Sequence, residues 1–416
     1  MNTEYKSTGQ EGILLDSFLD SYHDWTINGK GLQYASHELR YCLNQRKKRL
    51  ENRGIEMEES FEHVKDEIRG CLQKDDDPYL AKVIYRETNQ LLTYKKNHKT
   101  VRSYKTPVTF YGTLLDKEGY EDNGCTCPNC GHVSLISQLS EGCPYCGTVF
   151  ETDESYPCFT SFFTVPGIVE RATLMDKIKK RMIIVGSIAA VLGFLLVMFG
   201  ESDYVIWFKI LEGLFFAGFF AFFGAFFTYM AHSIVLLIKV FFEAGRALPL
   251  MKGIRTKKKM EGRMQKYDPD FSFEYFEGRV ISLFRTIAYS QDRDELSIYA
   301  SNQDLSFLDD LIDIQYRGSL QLLHLDETDG RIHVDVKAFM TVVCDDGRFS
   351  KKDVNYILSL EKDVNEKTKL SFTPIRIQCP NCSGSFDALH LKKCPHCGSD
   401  YDLAHDDWII TDIRKR

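Results

Sequence analysis

The sequence lacks the short motifs that most often identify an enzyme. Its 416 residues contain no phosphate-cradling glycine loop, no Gly-x-Ser-x-Gly and no His-Glu-x-x-His. The first residues, Met1 to Leu19, also lack a basic segment followed by an apolar core, so we expect no cleavable signal peptide. Without export, the cysteines would lie in a reducing compartment, where paired cysteines bind metal more often than they form disulfides. We predict a protein that is not an enzyme.

Excess positive charge is missing as well. The formal net charge is -7 and the pI is about 5.9, so the chain lacks the general electrostatic signature of a nucleic-acid-binding protein. Hydrophobic residues make up 44% and charged residues 27%, which is a globular balance. The length allows two or three domains.

Long apolar runs, in contrast, are present. Met182 to Phe199 is an 18-residue run without charge, and Leu214 to Ile238 is a longer one. About 20 apolar residues in a helix cross a bilayer core. We therefore predict a two-helix transmembrane hairpin over residues 182–238, with spans at 182–199 and about 214–238. A buried helical hairpin in a soluble core is the alternative.

The charges beside these runs predict their orientation. The short loop between the runs is acidic, with Glu201 and Asp203. Basic residues lie outside both runs: Lys177, Lys179, Lys180 and Arg181 before the first, and Lys239, Arg246, Lys252, Arg255, Lys257, Lys258 and Lys259 after the second. The positive-inside rule then predicts a multi-pass cell-membrane protein with both termini in the cytoplasm. The basic run after the second span could also bind anionic headgroups of the lipid bilayer.

The second run has small residues at every fourth position: Gly213, Ala217, Ala221 and Ala225. Such a stripe lets another helix approach closely. The other helix is either the first span or, in a homo-oligomer, a second copy of the chain. His232 is the only ionisable side chain well inside either run, and we expect it to lie at the membrane interface.

Eight of the thirteen cysteines form four Cys-x-x-Cys pairs. The first set is Cys127, Cys130, Cys143 and Cys146, and the second is Cys379, Cys382, Cys394 and Cys397. The two pairs of a set are separated by twelve residues in the first and eleven in the second, with proline after the first cysteine of each pair. Four thiolates at this spacing are typical of a closed, tetrahedral zinc site. We predict zinc ribbons at residues 121–156 and 379–410, each with one structural zinc ion.

A redox Cys-x-x-Cys is the competing interpretation, but a thioredoxin-like site needs one motif and not four. Cys125 is surplus to a four-ligand site, and whether it or Cys158 takes part stays open. Acidic residues follow the last cysteine of both sets, among them Glu151 and Asp402, and this negative charge makes contact with nucleic acid less favourable.

The soluble halves differ in how much their patterns predict. We expect residues 1–120 to be mainly helical, since apolar residues between Glu58 and Leu72 keep a rough helical spacing. The basic residues Lys47, Lys48, Arg49 and Arg53 are explained by a solvated helix face. The segment from Thr106 to Leu115 alternates like a strand.

Residues 267–378 predict an α+β domain with a curved antiparallel sheet. Asp268-Pro-Asp-Phe-Ser272 is a helix start, capped by Asp270 or Ser272. A second helix is predicted at about Asp304 to Tyr316. Strands are predicted at Leu320 to Leu325, Ile332 to Val342, Tyr356 to Leu360 and Leu370 to Ile377, with turns at Asp329-Gly330 and at Asp345-Asp346-Gly347.

The helix start, the meander, the second cysteine set and the terminal Asp407-Trp408 together resemble bacterial members of the mitochondrial import-motor anchor family, translocase-of-inner-membrane subunit 44. The resemblance covers about residues 267 to 416. It implies a cone-like α+β fold related to nuclear transport factor two, with a pocket between helix and sheet, and a domain that docks on lipid and tethers translocation machinery. The chain departs from the pattern at Ser383, where glycine usually follows the second cysteine, and we expect a looser knuckle there.

These features predict a membrane-anchored adaptor or scaffold on the cytosolic face that binds an unidentified protein or lipid partner, in protein translocation or membrane biogenesis. Two other classes stay open. One is a small transporter or channel subunit assembled through the small-residue stripe, and the other is a membrane-tethered ribbon that binds nucleic acid.

Overall fold

The computed structural model describes residues 4–6, 9–64, 68–74, 78–139, 142–150, 152, 154–166, 171–200, 205–345, 349–375 and 377–416. The chain forms two compact units. The first combines Met1–Gly167 with Pro249–Arg416, and the second is Ile168–Leu248. The N-terminal and C-terminal halves of the chain therefore fold together.

The helices are α1 (Gly9–Asn28), α2 (His37–Glu51), α3 (Ile136–Leu139), α4 (Arg171–Phe199), α5 (Ile206–Met264) and α6 (Phe273–Tyr289). The strands are β1 (Glu4–Lys6), β2 (Ile55–His63), β3 (Arg69–Lys74), β4 (Tyr79–Lys96), β5 (Lys99–Lys117), β6 (Gly124–Thr126), β7 (Val133–Leu135), β8 (Cys158–Pro166), β9 (Leu311–Thr328), β10 (Arg331–Asp345), β11 (Phe349–Asp363), β12 (Ile377–Gln378), β13 (Ser385–Phe386) and β14 (Ile409–Lys415).

The N-terminal half is a six-stranded antiparallel sheet, and the helices α1 and α2 lie between β1 and β2 in the chain. The strand order is β1-β3-β4-β5-β8, and β2 pairs with β4. The prediction that residues 1–120 are mainly helical is thus wrong after Glu51. In β2, Ile55, Met57 and Glu59 are buried at every second residue, which is the period of a strand. The roughly helical spacing of apolar residues further along was misleading, because pairing with β4 decides the structure there.

The C-terminal half places α6 against a four-stranded antiparallel sheet of order β14-β11-β10-β9. The predicted helix start is confirmed, since the Ser272 hydroxyl accepts a hydrogen bond from the Tyr275 amide at 3.3 Å. The predicted strands around Leu320, Ile332 and Tyr356 are confirmed within β9, β10 and β11.

Two predictions in this half are wrong. Asp304 to Tyr316 is a short 3-10 turn followed by the start of β9, because its apolar residues pair with β10. The segment from Leu370 forms turns, and only Ile377–Gln378 is a strand. The Asp345-Asp346-Gly347 turn lies partly outside the described residues.

The two halves repeat one arrangement. In each half a helix with a serine cap precedes the long strands of the sheet: α2, capped by Ser36, and α6, capped by Ser272. Each half has a long hairpin closed by two residues with positive φ, Asn97-His98 in one and Asp329-Gly330 in the other. In each half the cysteine cluster lies between the last two strands of the sheet, which pair with each other: β5 with β8, and β11 with β14.

A buried ion network joins the halves. Arg46 on α2 places one guanidinium nitrogen 3.1 Å from Glu59 Oε2 and another 2.8 Å from Asp313 Oδ1. Asp313 also accepts hydrogen bonds from the hydroxyls of Tyr94 and Tyr289. Burial alone would raise the pKa of Asp313, but Arg46 and the Tyr94 hydroxyl outweigh it, and the net pKa lies below its ordinary value.

The expected solvated basic face on α2 is also wrong in part. Arg49 is buried and donates to the carbonyl oxygens of Ala288, Leu308 and Asp309 in the C-terminal half. Burial lowers the pKa of Arg49 to about 10. The residue therefore ties the two halves together.

The second unit contains α4 and most of α5. Gly186 of α4 lies against Ala221 and Ala225 of α5, whereas Phe194 lies against Gly213. Contacts that move backwards along α5 as the chain advances along α4 define an antiparallel pair. Small residues of the stripe thus contact the first span, so a second copy of the chain would compete with that span for the same surface.

Candidate metal centres and membrane segment

Each set of four predicted cysteines comes together in space. In both clusters the four Sγ atoms lie within 4.8 Å of one another. Sγ–Sγ distances are 3.6 Å for Cys127–Cys146 and 3.7 Å for Cys130–Cys143. In the second cluster both corresponding distances, Cys379–Cys397 and Cys382–Cys394, are 3.7 Å.

These distances fit one tetrahedral ion. A tetrahedron with metal–sulfur bonds of about 2.3 Å, the zinc–thiolate length, has edges of about 3.8 Å. All thirteen cysteines are free thiols, so no disulfide competes for the cluster sulfurs. The chain therefore has two tetra-cysteine clusters that could each bind a metal ion.

The backbone of the knuckles explains how the sulfurs converge. The amides of Gly131 and Gly147 donate to the carbonyls of Cys127 and Cys143 at 2.9 and 2.8 Å. Both glycines have positive φ, the conformation that closes the turn. In the second ribbon Ser383 takes the same conformation at φ 59°, and its amide donates to the Cys379 carbonyl at 2.8 Å. Ser383 therefore closes its knuckle with the same conformation and the same hydrogen bond as the glycines.

A second layer of polar groups surrounds the last cysteine of each cluster. In the first ribbon the Thr148 hydroxyl lies 3.1 Å from Cys146 Sγ, and Asn129 Nδ2 lies 3.9 Å from it. The Thr148 hydroxyl lowers the pKa of Cys146 to about 6. Such outer groups orient metal ligands and moderate their charge.

The second ribbon repeats this layer. Ser399 Oγ lies 3.0 Å from Cys397 Sγ and Asn381 Nδ2 lies 3.6 Å from it. The Ser399 hydroxyl lowers the pKa of Cys397 to about 5. Sequence reasoning missed these residues, although the signal was present: Cys-Pro-Asn-Cys occurs twice, and a hydroxyl residue stands two positions after each final cysteine.

The remaining cysteines and histidines near the clusters have other environments. Cys125 on β6 is half-buried and packs beside the first cluster without belonging to it. Cys158 begins β8, where burial raises the pKa of its thiol. His132 stacks on Tyr145, and His390 contacts Asp387 and the Tyr41 hydroxyl.

The two ribbons differ in their packing. Cys127, Cys143 and Leu139 form a small apolar cluster of their own. Cys379 and Cys394 belong instead to the main core of the compact unit. The second ribbon is thus part of the core, whereas the first is a satellite with its own centre.

Two helices in the described part of the chain are long and apolar enough to cross a membrane: Ile178–Phe199 with a mean hydropathy of 2.7, and Ile206–Val235 with 2.0. Most side chains of both segments are exposed, which suits contact with lipid better than a soluble core. The predicted spans 182–199 and about 214–238 overlap these two segments, which begin earlier in the chain, at Ile178 and Ile206.

His232 has a partner at the start of the first span. Arg181 donates to His232 Nε2 at 2.9 Å, and His232 Nδ1 lies 2.9 Å from the Thr228 carbonyl oxygen. Because arginine can only donate, Nε2 is the acceptor in this pair. A pair with an arginine that ends a basic segment suits a position at the edge of the apolar zone.

Comparisons with protein-family models, with curated proteins and with solved structures gave no match. The likeness of residues 267 to 416 to the import-motor anchor family, and the related cone-like fold, therefore stay predictions. The architecture itself is a mixed α+β fold with two apolar helices and two four-cysteine clusters.

Proposed function

We propose that this chain is a non-enzymatic, integral membrane zinc-ribbon protein that works as an adaptor on the cytosolic face. The observation that carries the proposal is the presence, in one chain, of an apolar helical hairpin and a compact unit that incorporates both four-cysteine clusters. A folded unit with its own core and a separate anchor suits tethering a partner to a membrane.

Zinc is the proposed ion at both clusters. Four thiolates in a tetrahedron favour zinc, and a cluster whose four positions are all cysteine leaves none for a reacting water molecule. The ions would therefore hold the ribbons folded. Cys127, Cys130, Cys143 and Cys146 would hold one ion, and Cys379, Cys382, Cys394 and Cys397 the other.

The proposed topology has two membrane crossings and both termini in the cytoplasm. Its support is the basic residues on the outer flanks of the two apolar segments and the acidic loop between them. The same compartment would keep thirteen cysteines reduced, as zinc binding requires.

The partners would be proteins or lipids of translocation or membrane biogenesis, on the strength of the family resemblance. A channel or transporter made of copies of this chain has less support, because the first span already contacts the small-residue stripe. A nucleic-acid-binding ribbon also has less support, because residues 118–154 contain no lysine or arginine.

Three measurements on the full chain test the proposal. Elemental analysis of protein purified in detergent should find two zinc ions per chain. Antibody access to an epitope tag at either terminus, compared between intact and permeabilised cells, should place both termini inside. Crosslinking in membranes should recover a defined set of other proteins. Recovery of the chain alone, or a terminus labelled from outside, would overturn the proposal.

A further inference from the structure

The first ribbon exposes four apolar side chains. Val133 and Leu135 on β7 are 61% and 41% exposed, and Tyr145 and Val149 beside the second knuckle are 77% and 75% exposed. Val133 and Leu135 lie on one side of β7, since Ser134 between them is buried. Single exposed apolar residues are common, but four on one small metal-binding unit suggest a surface used for contact.

The second ribbon serves as an internal comparison, because the equivalent residues can be found by counting the same number of positions from its cysteines. They are all polar or charged: Ser385, Asp387, His396 and Asp400. His396 Nε2 lies 3.1 Å from the Ser385 carbonyl oxygen, Asp387 pairs with His390 at 2.9 Å, and Asp400 with Lys393 at 3.2 Å. A four-cysteine ribbon of this frame therefore does not need apolar residues at these positions.

The two ribbons also differ in net charge. Residues 118–154 contain seven acidic residues and no lysine or arginine. The equivalent segment, 370–405, contains three acidic and three basic residues and is balanced. The segment that carries the apolar residues of the first ribbon is thus net negative, and net negative charge repels phosphate groups and attracts cations.

We propose that Val133, Leu135, Tyr145 and Val149 form a docking face for a polypeptide segment that combines apolar with lysine or arginine side chains. The inference rests on the proposed adaptor function and names the chemistry of its partner. Apolar side chains of the segment bury against the face, while its cations contact the acidic surroundings. An anionic lipid surface or a nucleic acid presents the wrong charge.

The test uses the full chain in nanodiscs of neutral lipid and short fluorescent peptides. The probe is a peptide of alternating leucine and lysine, with leucine–glutamate and serine–lysine peptides of equal length beside it. Leu135→Asp and Leu391→Asp are the matched variants, because both leucines are 41% exposed, one on each ribbon. Fluorescence anisotropy measures the dissociation constants, and zinc content checks that both ribbons stay folded.

We expect the leucine–lysine peptide alone to bind, more weakly at high salt. Leu135→Asp should weaken it about tenfold, while Leu391→Asp leaves it unchanged. Equal binding by both variants, or equal binding of the leucine–glutamate peptide, would overturn the inference. Binding of phosphatidylserine vesicles that Leu135→Asp abolishes would assign the face to the membrane and also overturn it.

Crosslinking in membranes separates this inference from the adaptor function. If the wild-type chain and Leu135→Asp recover the same partner proteins, the docking face is wrong and the adaptor stands. If neither recovers a partner while the peptide result holds, the adaptor role fails and the docking face stands.

Discussion

The ion network between the halves of the chain should be a main source of the stability of the compact unit. Asp313→Asn is the sharpest perturbation, because it keeps the shape of the side chain and removes its charge. Arg46 would then keep only Glu59 as a charged partner, beside the Tyr22 hydroxyl, inside a site where the side chains of Arg46, Glu59 and Asp313 are all less than a tenth exposed. Breaking a buried, hydrogen-bonded ion pair costs about 3–5 kcal/mol, and asparagine retains an acceptor, so we expect about 3 kcal/mol.

Thermal unfolding of the full chain in detergent, followed by circular dichroism, measures this loss. For a unit of this size, an unfolding entropy of roughly 2.1 cal/mol/K per residue converts it to about 4 °C in Tm. Asp309→Asn is the matched control, since Asp309 pairs with Arg293 while its own side chain is 61% exposed. An exposed pair contributes at most about 1 kcal/mol. Equal Tm shifts for the two variants would refute the reasoning.

The same network predicts a dependence on acid. The pKa of Asp313 is lowered in the folded protein. The stability that its charged form contributes is therefore complete above the pKa of the unfolded chain, about 3.9, and is lost as pH falls through the folded pKa. Below about pH 4 the difference in stability between wild type and Asp313→Asn should therefore shrink. A difference that stays constant down to the acid transition would contradict a charged Asp313 in the fold.

Three further predictions follow from packing and titration. Cys394→Ser should lower the Tm of the whole unit by the equivalent of about 3 kcal/mol or more, because this thiol lies in the main core. Cys143→Ser should release one metal ion with little change in the Tm of the unit, because this thiol lies in a small cluster of its own. Metal analysis and thermal melting of both variants distinguish these outcomes. Burial raises the pKa of Glu277 to about 7. The stability that the protonated Glu277 side chain contributes is therefore present below about pH 4 and is lost as pH rises through 7. Glu277→Gln should accordingly be more stable than the wild type in melts at about pH 8, but not at about pH 4. Gly186→Leu should lower the free energy of unfolding in mixed micelles by about 1–3 kcal/mol, because a Cβ at this position would lie 3.2 Å from a backbone oxygen of α5. Gly218→Leu should leave it unchanged, because a Cβ there has no atom within 4 Å.

The features that the sequence predicted correctly are those with local physical causes. The apolar runs and the cysteine knuckles are continuous or short-range patterns, and the structure contains both. Strand β10 was predictable because apolar residues alternate along it from Ile332; the burial alternates in the same way as far as Ala338, and beyond that residue both faces of the strand are buried. The helix start at Ser272 follows from the capping preference of serine.

The errors occurred where distant segments decide the structure. The segment around Glu59 was predicted to be mainly helical, but it pairs with β4 as part of β2, and Glu59 is buried in contact with Arg46. Arg49 looked like part of a solvated face, and its acceptors lie more than 230 residues away in the chain. No window of sequence contains these partners, so their burial could not be derived from local pattern.

The repeated arrangement of the two halves gives the ribbons a physical reason to differ. Each ribbon is an insertion between two strands that pair directly, so the sheet closes whatever the surface of the insertion presents. The metal ligands and the Asn and Ser or Thr groups around the last thiol are the same in both, because they serve the fold of the ribbon itself. The surface residues of the ribbons are not needed for that fold. In the second ribbon they form polar pairs beside a core that already holds it, and in the first they are free to be apolar. A partner surface should therefore be sought on the ribbon with the smaller core, since substitutions there alter binding at the least cost to folding.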